Sequence, residues 1–442
     1  MSDDMIHTRR QFLKGGLTLI SAGATVPLFL DRTAWAISGD PSDRQRAHHK
    51  PGGANGRILV VLQLAGGNDG LNTVIPFEND RYYQARPRLG IRKGDAIRLN
   101  DQLGLNPNAT GLKSLYDAGL LSIVQGVGYP NPNRSHFVAT DIWSTGDPTE
   151  ATHNGWIGRY FDCTCSGRER PEPKRGISIT SEVPLAMQGE KFSPVSFSTP
   201  DELTWRGPGA RGRGRNAFED LNQPHGKRKE TDGAPQDEAS ALAYLERMAM
   251  DARASAEEIQ KAAGGGSGAR SRRAGRRRPG RNALEGNLEM VRRMIRAGLD
   301  TSVYYVSMGG FDTHANQLGS HNNLIRTFSD AVKAFMDGLK EDGLLDRVLL
   351  MTFSEFGRRV AENGSGGTDH GAAAPLFVAG GGVKAGVHGK HPSLNPDDLD
   401  RGDLKWGTDF RSVYATVLNG WLNADSERIL SGSFKPLPLL KA

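Results

Sequence analysis

Short, almost continuous apolar runs recur along the chain and predict strands that are covered on both faces of a sheet. These runs occupy residues 58–64, 121–127, 302–307, 348–353 and 376–379. Segments with helical periodicity alternate with them, at residues 110–118, 283–297, 324–342 and 410–422. Because strand and helix alternate, we predict an α/β fold, an α/β/α sandwich with a mostly parallel central sheet.

One long segment, residues 206–282, interrupts this alternation. It contains two Gly/Arg-rich tracts, at residues 206–215 and 264–281, separated by a polar stretch and a helix-like stretch. Low-complexity tracts of this kind cannot bury enough apolar surface to fold, so we predict a disordered insert. The remainder, residues 57–442, is predicted to form a single domain around that insert.

The N-terminus has the pattern of an export signal. Arg9-Arg10 precede Phe12-Leu13-Lys14, residues 15–30 are apolar and uncharged, and Ala34-Trp35-Ala36 offers small residues for a signal peptidase. We predict a twin-arginine signal peptide at residues 1–36 and a polar linker at 37–56. The twin-arginine machinery would export the folded protein to the periplasm or the exterior. No later run approaches 18 apolar residues, so we expect no stable membrane span after cleavage. An uncleaved anchor is the alternative.

The excess of basic residues is confined to one segment of the chain. The chain has 442 residues and a formal charge of +6, but seven arginines lie between Arg270 and Arg281, and without them the charge is −1. The charge therefore does not indicate a nucleic-acid-binding fold, and no aromatics are interleaved for base stacking. A solvated insert is favoured over one that holds nucleic acid, an acidic polysaccharide or a membrane surface. Cys163 and Cys165 are too few for a disulfide framework, with a metal or redox pair as the lesser alternative.

Polar residues suited to catalysis or metal binding follow four of the predicted strands, and a fifth such cluster, with Asp369 and His370, leads into the last strand. In open α/β sheets ligands bind beyond the carboxyl ends of strands, so we expect these side chains to converge at one edge. Carboxylates and imidazoles suit Zn, Mn, Mg or Ca, and residue types alone do not choose among these metals. The side chains concerned are Asp69, Ser135, His136, Asp312, His314, Glu355, Asp369 and His370.

Ser135 precedes a helix-like segment, where it could be either a helix cap or a nucleophile. The helix N-terminus favours anions such as phosphate or sulfate. A hydroxyl or a water near a metal becomes a nucleophile at neutral pH. Arg134, Arg358 or Arg359 could then hold the oxyanion in the transition state.

Several long motifs carry a resemblance to a known family. The chain resembles the domain of unknown function 1501 family, and that family is similar to the alkaline phosphatase and sulfatase superfamily. The resemblance implies an alkaline phosphatase-like α/β/α fold with a two-metal site. The motifs are LQLAGGNDGLNTVIPF, YPNPNRSHFVATDIWSTG, GWIGRYFD, GGFDTHANQ, TFSEFGRRVAENGSGGTDHGAAAPLFVAGGGVKAG and the twin-arginine leader.

The resemblance also implies residue roles. Asp69 would be the first-strand metal ligand, and Ser135 the nucleophile. Asp312 and His314 resemble an Asp and a His ligand, although they are closer in sequence than the superfamily's Asp-x-x-x-His spacing. His370 resembles the late His ligand.

The main departure is Glu355-Phe356, where the superfamily has an Asp-His pair. Phe cannot replace a His ligand, so one metal position is depleted unless Asp369 or His136 supplies the missing ligand. The site would then hold one metal, hold two in an unusual way, or be inactive.

We therefore predict an exported hydrolase of phosphate or sulfate esters that depends on a divalent metal. Its substrate would be a small-molecule or glycan ester. The alternative is a non-catalytic envelope protein that binds an acidic glycan or a protein partner. In the first case the metal ligands are Asp69, Asp312, His314, Glu355 and His370, and the catalytic residues are Ser135, Arg134 and Arg358.

Overall fold

The computed structural model describes residues 56–164, 172–203, 255–264 and 282–441. The predicted signal peptide, nearly all of the linker at 37–56, Cys165 and almost all of both Gly/Arg tracts lie outside the described residues. The proposals about export and about the insert therefore remain predictions. Among the described residues, no helix is both long and apolar enough to cross a membrane.

A nine-stranded sheet forms the centre of the molecule, with the strand order β11-β5-β10-β9-β1-β8-β6-β7 and with β12 also paired to β5. A small second sheet has the order β2-β4-β3. The strands are β1 Ile58–Leu64, β2 Val74–Ile75, β3 Ile97–Arg98, β4 Gly104–Leu105, β5 Leu121–Gly128, β6 Gly176–Ile179, β7 Val195–Ser196, β8 Val303–Met308, β9 Val348–Phe353, β10 Ala374–Gly380, β11 Gly386–His388 and β12 Thr408–Asp409.

Within the described part of the large sheet, β10 is the one antiparallel strand. It runs against both β5 and β9, whereas β1, β6, β8 and β9 pair in parallel. The start of β10 therefore lies at the same sheet edge as the carboxyl ends of the parallel strands. Residues that precede β10 can meet residues that follow β1, β5, β8 and β9.

Helices cover both faces of the sheet. They are α1 Gly70–Thr73, α2 Asp80–Ala85, α3 Thr110–Asp117, α4 His136–Thr145, α5 Trp156–Thr164, α6 Ala283–Arg296, α7 Gln317–Glu341, α8 Phe410–Gly420 and α9 Ser426–Leu430, and residues 255–263 are also helical. Short 3-10 turns lie at Pro173–Arg175, Leu185–Met187, Pro200–Leu203, Leu345–Arg347 and Pro396–Asp398.

Alternate residues of β1 enter two separate hydrophobic cores, as the two-residue period of a strand requires. Val60 and Leu62 pack in the core beneath α3, α6 and α7, and Leu59 and Val61 pack in the core beneath α4, α5 and α8. The predicted α/β/α sandwich with a mostly parallel sheet is thus confirmed. Helix α7 begins at Gln317, seven residues before the predicted start at residue 324.

Candidate metal centre

Five chain segments meet at one edge of the large sheet. Four are the loops that follow β1, β5, β8 and β9, and the fifth is the segment before the antiparallel strand β10. An isolated antiparallel bridge between Arg358 and His370 joins the loop after β9 to the segment before β10. The topology therefore brings side chains from residues far apart in sequence to one place.

Two glycines allow these loops to pack closely. Gly66 has φ +118°, and a Cβ there would lie 2.4 Å from the backbone nitrogen of Asp312. Gly67 has φ +76°, and a Cβ there would lie 2.4 Å from the Phe356 ring. Both backbone conformation and space thus require glycine, which explains the Gly-Gly pair after β1.

Three imidazole nitrogens surround one carboxylate oxygen. The Nε2 atoms of His136, His314 and His370 lie 3.4, 3.0 and 3.1 Å from Asp312 Oδ1. One ligand atom from each of His136, Asp312 and His370 lies within 4.8 Å of the others, the spacing of a metal-binding group. His314 Nε2 is also 2.9 Å from His370 Nε2, and at 44% exposure its side chain is the most accessible of the three rings.

Hydrogen-bond partners fix how two of these rings are oriented. His370 Nδ1 lies 2.8 Å from the carbonyl oxygen of Arg134, and His136 Nδ1 lies 2.7 Å from Glu355 Oε1. Both partners are acceptors, so each Nδ1 carries a proton, and each ring turns its Nε2 towards Asp312.

Each Nε2 can contact the carboxylate oxygen in two ways: by carrying a second proton, or, in a neutral ring, by sharing a cation with that oxygen. Nε2 of His136 is in addition buried without a hydrogen-bond partner among the described residues. An imidazole held through Nδ1 by a carboxylate or a carbonyl is the usual arrangement of a metal-bound histidine. The donor set of His136, Asp312 and His370 therefore fits a divalent cation.

Arg358 holds the Asp312 carboxylate in position. Its side chain is fully buried, and Nη2 donates to Asp312 Oδ1 at 2.7 Å. Its other N–H groups donate to the carbonyl oxygens of Gly66, Gly67, Phe311 and Thr368. Burial alone would raise the pKa of Asp312, but hydrogen bonds from Arg358 and His370 and the charges of Arg358 and His314 outweigh it and hold that pKa well below its usual range. Arg358 is therefore placed to position Asp312 rather than to face a substrate.

Glu355 contacts a histidine of the centre. It is buried, and Oε1 accepts from the Gly66 N–H at 2.7 Å as well as from His136. Its Oε2 is buried with no partner among the described residues. Phe356 packs beside both His136 and His370, with ring centroids 4.8 and 4.6 Å apart. His136, from the loop after β5, thus reaches the cluster beside the phenylalanine that departs from the superfamily pattern.

Asp69 lies apart from this cluster. Both of its oxygens accept from Arg86 Nη1, at 2.9 and 2.7 Å, and Oδ2 also accepts from Gln317 Nε2. Asp69 and Arg86 side chains are both fully buried. Burial would raise the pKa of Asp69, but the charge of Arg86 lowers it overall. The structure does not place Asp69 with the predicted ligands, because a guanidinium already occupies its oxygens.

The remaining predicted residues lie at the rim. Ser135 is exposed at the N-terminus of α4, and its hydroxyl makes no cap hydrogen bond. The guanidinium of Arg134 binds the buried Asp403, and Arg359 Nε lies 3.4 Å from the same carboxylate. Asp369 lies 3.6 Å from His314 Nδ1 and accepts from Asn363. The backbone carbonyl of Arg134 therefore acts on the centre by holding His370, while its guanidinium is paired with Asp403.

Sequence reasoning did not identify Arg86 or Asp403. Both are charged residues in irregular segments whose partners are set only by the folded chain. The signal for His136 was present, since it directly follows Ser135 after a predicted strand.

Comparison with known proteins identifies the family of this chain and finds solved structures that are only distantly similar to it. The family described as protein of unknown function (DUF1501) matches residues 114–431. No curated protein matches the sequence.

Solved structures with a similar chain path include the lipoteichoic acid synthase LtaP from Listeria monocytogenes, at 12% identity and a TM-score of 0.31, covering 87% of this chain and 81% of that one. The PsFucS1 sulfatase from Pseudoalteromonas sp. has 12% identity and a TM-score of 0.33, with 86% and 70% covered. The phosphonate monoester hydrolase SpPMH from Silicibacter pomeroyi has 11% identity and a TM-score of 0.31, with 86% and 76% covered. At these scores the function must be argued from the site itself.

Proposed function

This chain belongs to the DUF1501 family, and we propose that it is a metal-dependent hydrolase of phosphate or sulfate esters. The observation that carries the proposal is the pair of Nε2 atoms, from His136 and His370, that lie 3.4 and 3.1 Å from Asp312 Oδ1. Such a donor set fits a divalent cation, and a cation at the rim of an α/β sheet is suited to anionic esters.

Each residue has a distinct role in this proposal. His136, Asp312 and His370 hold the ion, which when bound stabilises the negative charge that develops on the ester oxygens. Glu355 and the Arg134 carbonyl keep the two imidazoles in the tautomer that binds a metal. His314 contacts both Asp312 and Asp369 and is the most exposed ring, so it is the group assigned to proton exchange with substrate.

The nucleophile is the Ser135 hydroxyl or a water molecule. Ser135 begins the ten-residue helix α4, where the helix dipole favours the anionic group of the ester. In either case a bond forms from the nucleophilic oxygen to phosphorus or sulfur, and the bond to the ester oxygen breaks. The proton of the nucleophile passes to His314, which returns it to the leaving group. Where Ser135 is the nucleophile, a water molecule then attacks the phosphorus or sulfur of the serine ester, and the bond to the serine oxygen breaks. His314 takes the proton of that water and returns it to the serine oxygen, and the phosphate or sulfate product leaves.

Metal content and hydrolysis should be measured together on the purified protein. We expect bound divalent metal, and activity on at least one of an aryl phosphate, an aryl sulfate and a bis-aryl phosphodiester. Asp312→Asn and His370→Ala should lose both properties. Asp101→Asn and His153→Ala, which change exposed residues, are the matched controls. A metal-free protein that is inert on all three esters would refute the proposal and favour the non-catalytic alternative, which binds an acidic glycan or a protein partner.

We also propose that the protein is exported in the folded state through the twin-arginine pathway to the periplasm or the exterior. The sequence of residues 8–36 supports this proposal. Replacing Arg9 and Arg10 together by Lys should retain the precursor in the cytoplasm, as cell fractionation and immunoblotting would detect. Unchanged export of that variant would contradict the assignment.

A further inference from the structure

We infer that the centre holds one divalent cation per chain and that the Arg86 guanidinium occupies the place of a second. The inference rests on the proposed metal-dependent function and concerns how many ions that function uses. Its basis is the contrast between the two aspartates that follow parallel strands, Asp69 after β1 and Asp312 after β8.

Both oxygens of Asp69 are engaged by buried donors. Arg86 Nη1 donates to both carboxylate oxygens, Gln317 Nε2 donates to Oδ2, and the side chain is fully buried. A metal ion at Asp69 would have to displace a buried guanidinium. Removing one partner of a buried ion pair is strongly unfavourable, since it leaves an uncompensated charge in a medium of low dielectric constant.

Arg86 is also held firmly by contacts other than Asp69. Its remaining N–H groups donate to the carbonyl oxygens of Val360 and Arg359, both at 2.9 Å, and to Asn72 Oδ1 at 2.8 Å. Two separate segments of the chain, one at Asn72 and one at residues 359–360, thus fix the guanidinium in position. The positive charge beside Asp69 is therefore a permanent part of the fold.

Asp312, unlike Asp69, is accessible to an ion and has additional donor atoms beside it. Arg358 also contacts this carboxylate, but Asp312 is half exposed and three imidazoles approach the same oxygen. At the centre, the buried acceptor atoms without a partner among the described residues are His136 Nε2 and Glu355 Oε2. Neither oxygen of Asp69 is among them. His321 Nδ1 is also buried without a partner in the described part of the chain, and its ring contacts Asn68 next to Asp69. Because both Asp69 oxygens already accept from buried donors, the accessible carboxylate with unpartnered donor atoms beside it is Asp312.

The test is the number of ions bound, which does not depend on turnover. Zn²⁺ and Mn²⁺ should each be titrated into the metal-stripped, exported protein by calorimetry, and bound metal counted by elemental analysis. We expect one ion per chain. Two ions per chain would overturn the inference and leave the proposed hydrolysis intact. No bound ion would overturn both.

A charge-balanced variant tests the role of Arg86. The double variant Asp69→Asn/Arg86→Gln removes both charges of the buried pair together, so neither is left uncompensated. It should still bind one ion, without the roughly 10- to 100-fold loss in affinity that follows removal of a partner of a metal ligand. Asp312→Asn should lose the ion. A double variant that folds, as judged by circular dichroism, and has lost the ion would contradict the inference. If the double variant does not fold, the count on the unchanged protein decides.

Discussion

Glu355→Gln isolates the electrostatic support given to the metal-binding histidine His136. Glutamine has the shape of glutamate and keeps an oxygen that can accept from both the Gly66 N–H and His136 Nδ1–H. The substitution therefore removes the negative charge and leaves the geometry in place. Because Glu355 is only 2% exposed, water does not screen that charge from the ring.

The expected effect is a weaker hold on the metal rather than a loss of fold. The carboxylate lies 2.7 Å from Nδ1 and makes the opposite ring nitrogen a stronger donor. Loss of such a partner weakens metal binding by roughly 10- to 100-fold, which corresponds to about 1.4 to 2.7 kcal/mol. The buried Oε2, which has no partner among the described residues, becomes an amide N–H₂ that also lacks one.

Calorimetric titration with Zn²⁺ would measure this change, with thermal unfolding of the metal-free protein as the check on folding. Glu190→Gln, at an exposed position, is the matched control and should bind as the unchanged protein does. Equal affinity in the Glu355→Gln variant and in the control would refute the assigned role of Glu355. It would also weaken the tautomer argument on which the metal centre rests.

Three further predictions concern the structure around the site. Burial lowers the pKa of His321 from 6.5 to about 4, so its contribution to stability is complete above pH 6.5 and is lost as the pH falls towards 4. Between pH 6.5 and pH 4 the protein should lose up to about 3 kcal/mol of its free energy of unfolding through His321, and the His321→Asn variant should not show that part of the loss in urea unfolding. An unchanged dependence of the unfolding free energy on pH in the variant would contradict this. Phe356→Ala should cost about 3 to 5 kcal/mol, seen in denaturant unfolding, because it empties the space beside His136 and His370. Gly66→Ala should weaken both folding and metal binding, by at least about 1 kcal/mol in unfolding experiments, since its φ is +118° and the added Cβ meets Asp312; wild-type behaviour would refute the steric argument.

The long buried strands could be predicted from the sequence because both of their faces are covered. Their apolar runs are continuous, and β1 and β9 begin and end at the predicted residues. The short edge strands β7 and β11, of two and three residues, carry no such pattern. Their pairing depends on neighbours that the sequence does not reveal locally.

Some residues of the candidate site could likewise be predicted from the sequence, and others could not. Strand order and direction bring Asp312, His314 and His370 together, and the sequence contains that information as polar clusters next to buried runs. The partner of Asp69 does not follow from any local pattern. Arg86 lies at the end of the short helix α2, and its pairing with Asp69 exists only in the packed molecule. For this reason Asp69 could be proposed as a ligand from the sequence and yet be an ion-pair partner in the structure.

The charges at the rim explain why a metal would matter for substrate binding as well as for chemistry. Apart from the histidines and the internally balanced Asp69–Arg86 pair, the charged groups around the centre are three guanidiniums and four carboxylates, with a net charge of −1. They are Arg134, Arg358, Arg359, Asp312, Glu355, Asp369 and Asp403. An anionic ester gains little from such a surface, because each guanidinium already contacts a carboxylate. A single divalent ion changes the net charge to +1. The ion proposed at Asp312 would thus provide the attraction for an anionic substrate that the arginines, each already paired with a carboxylate, do not provide.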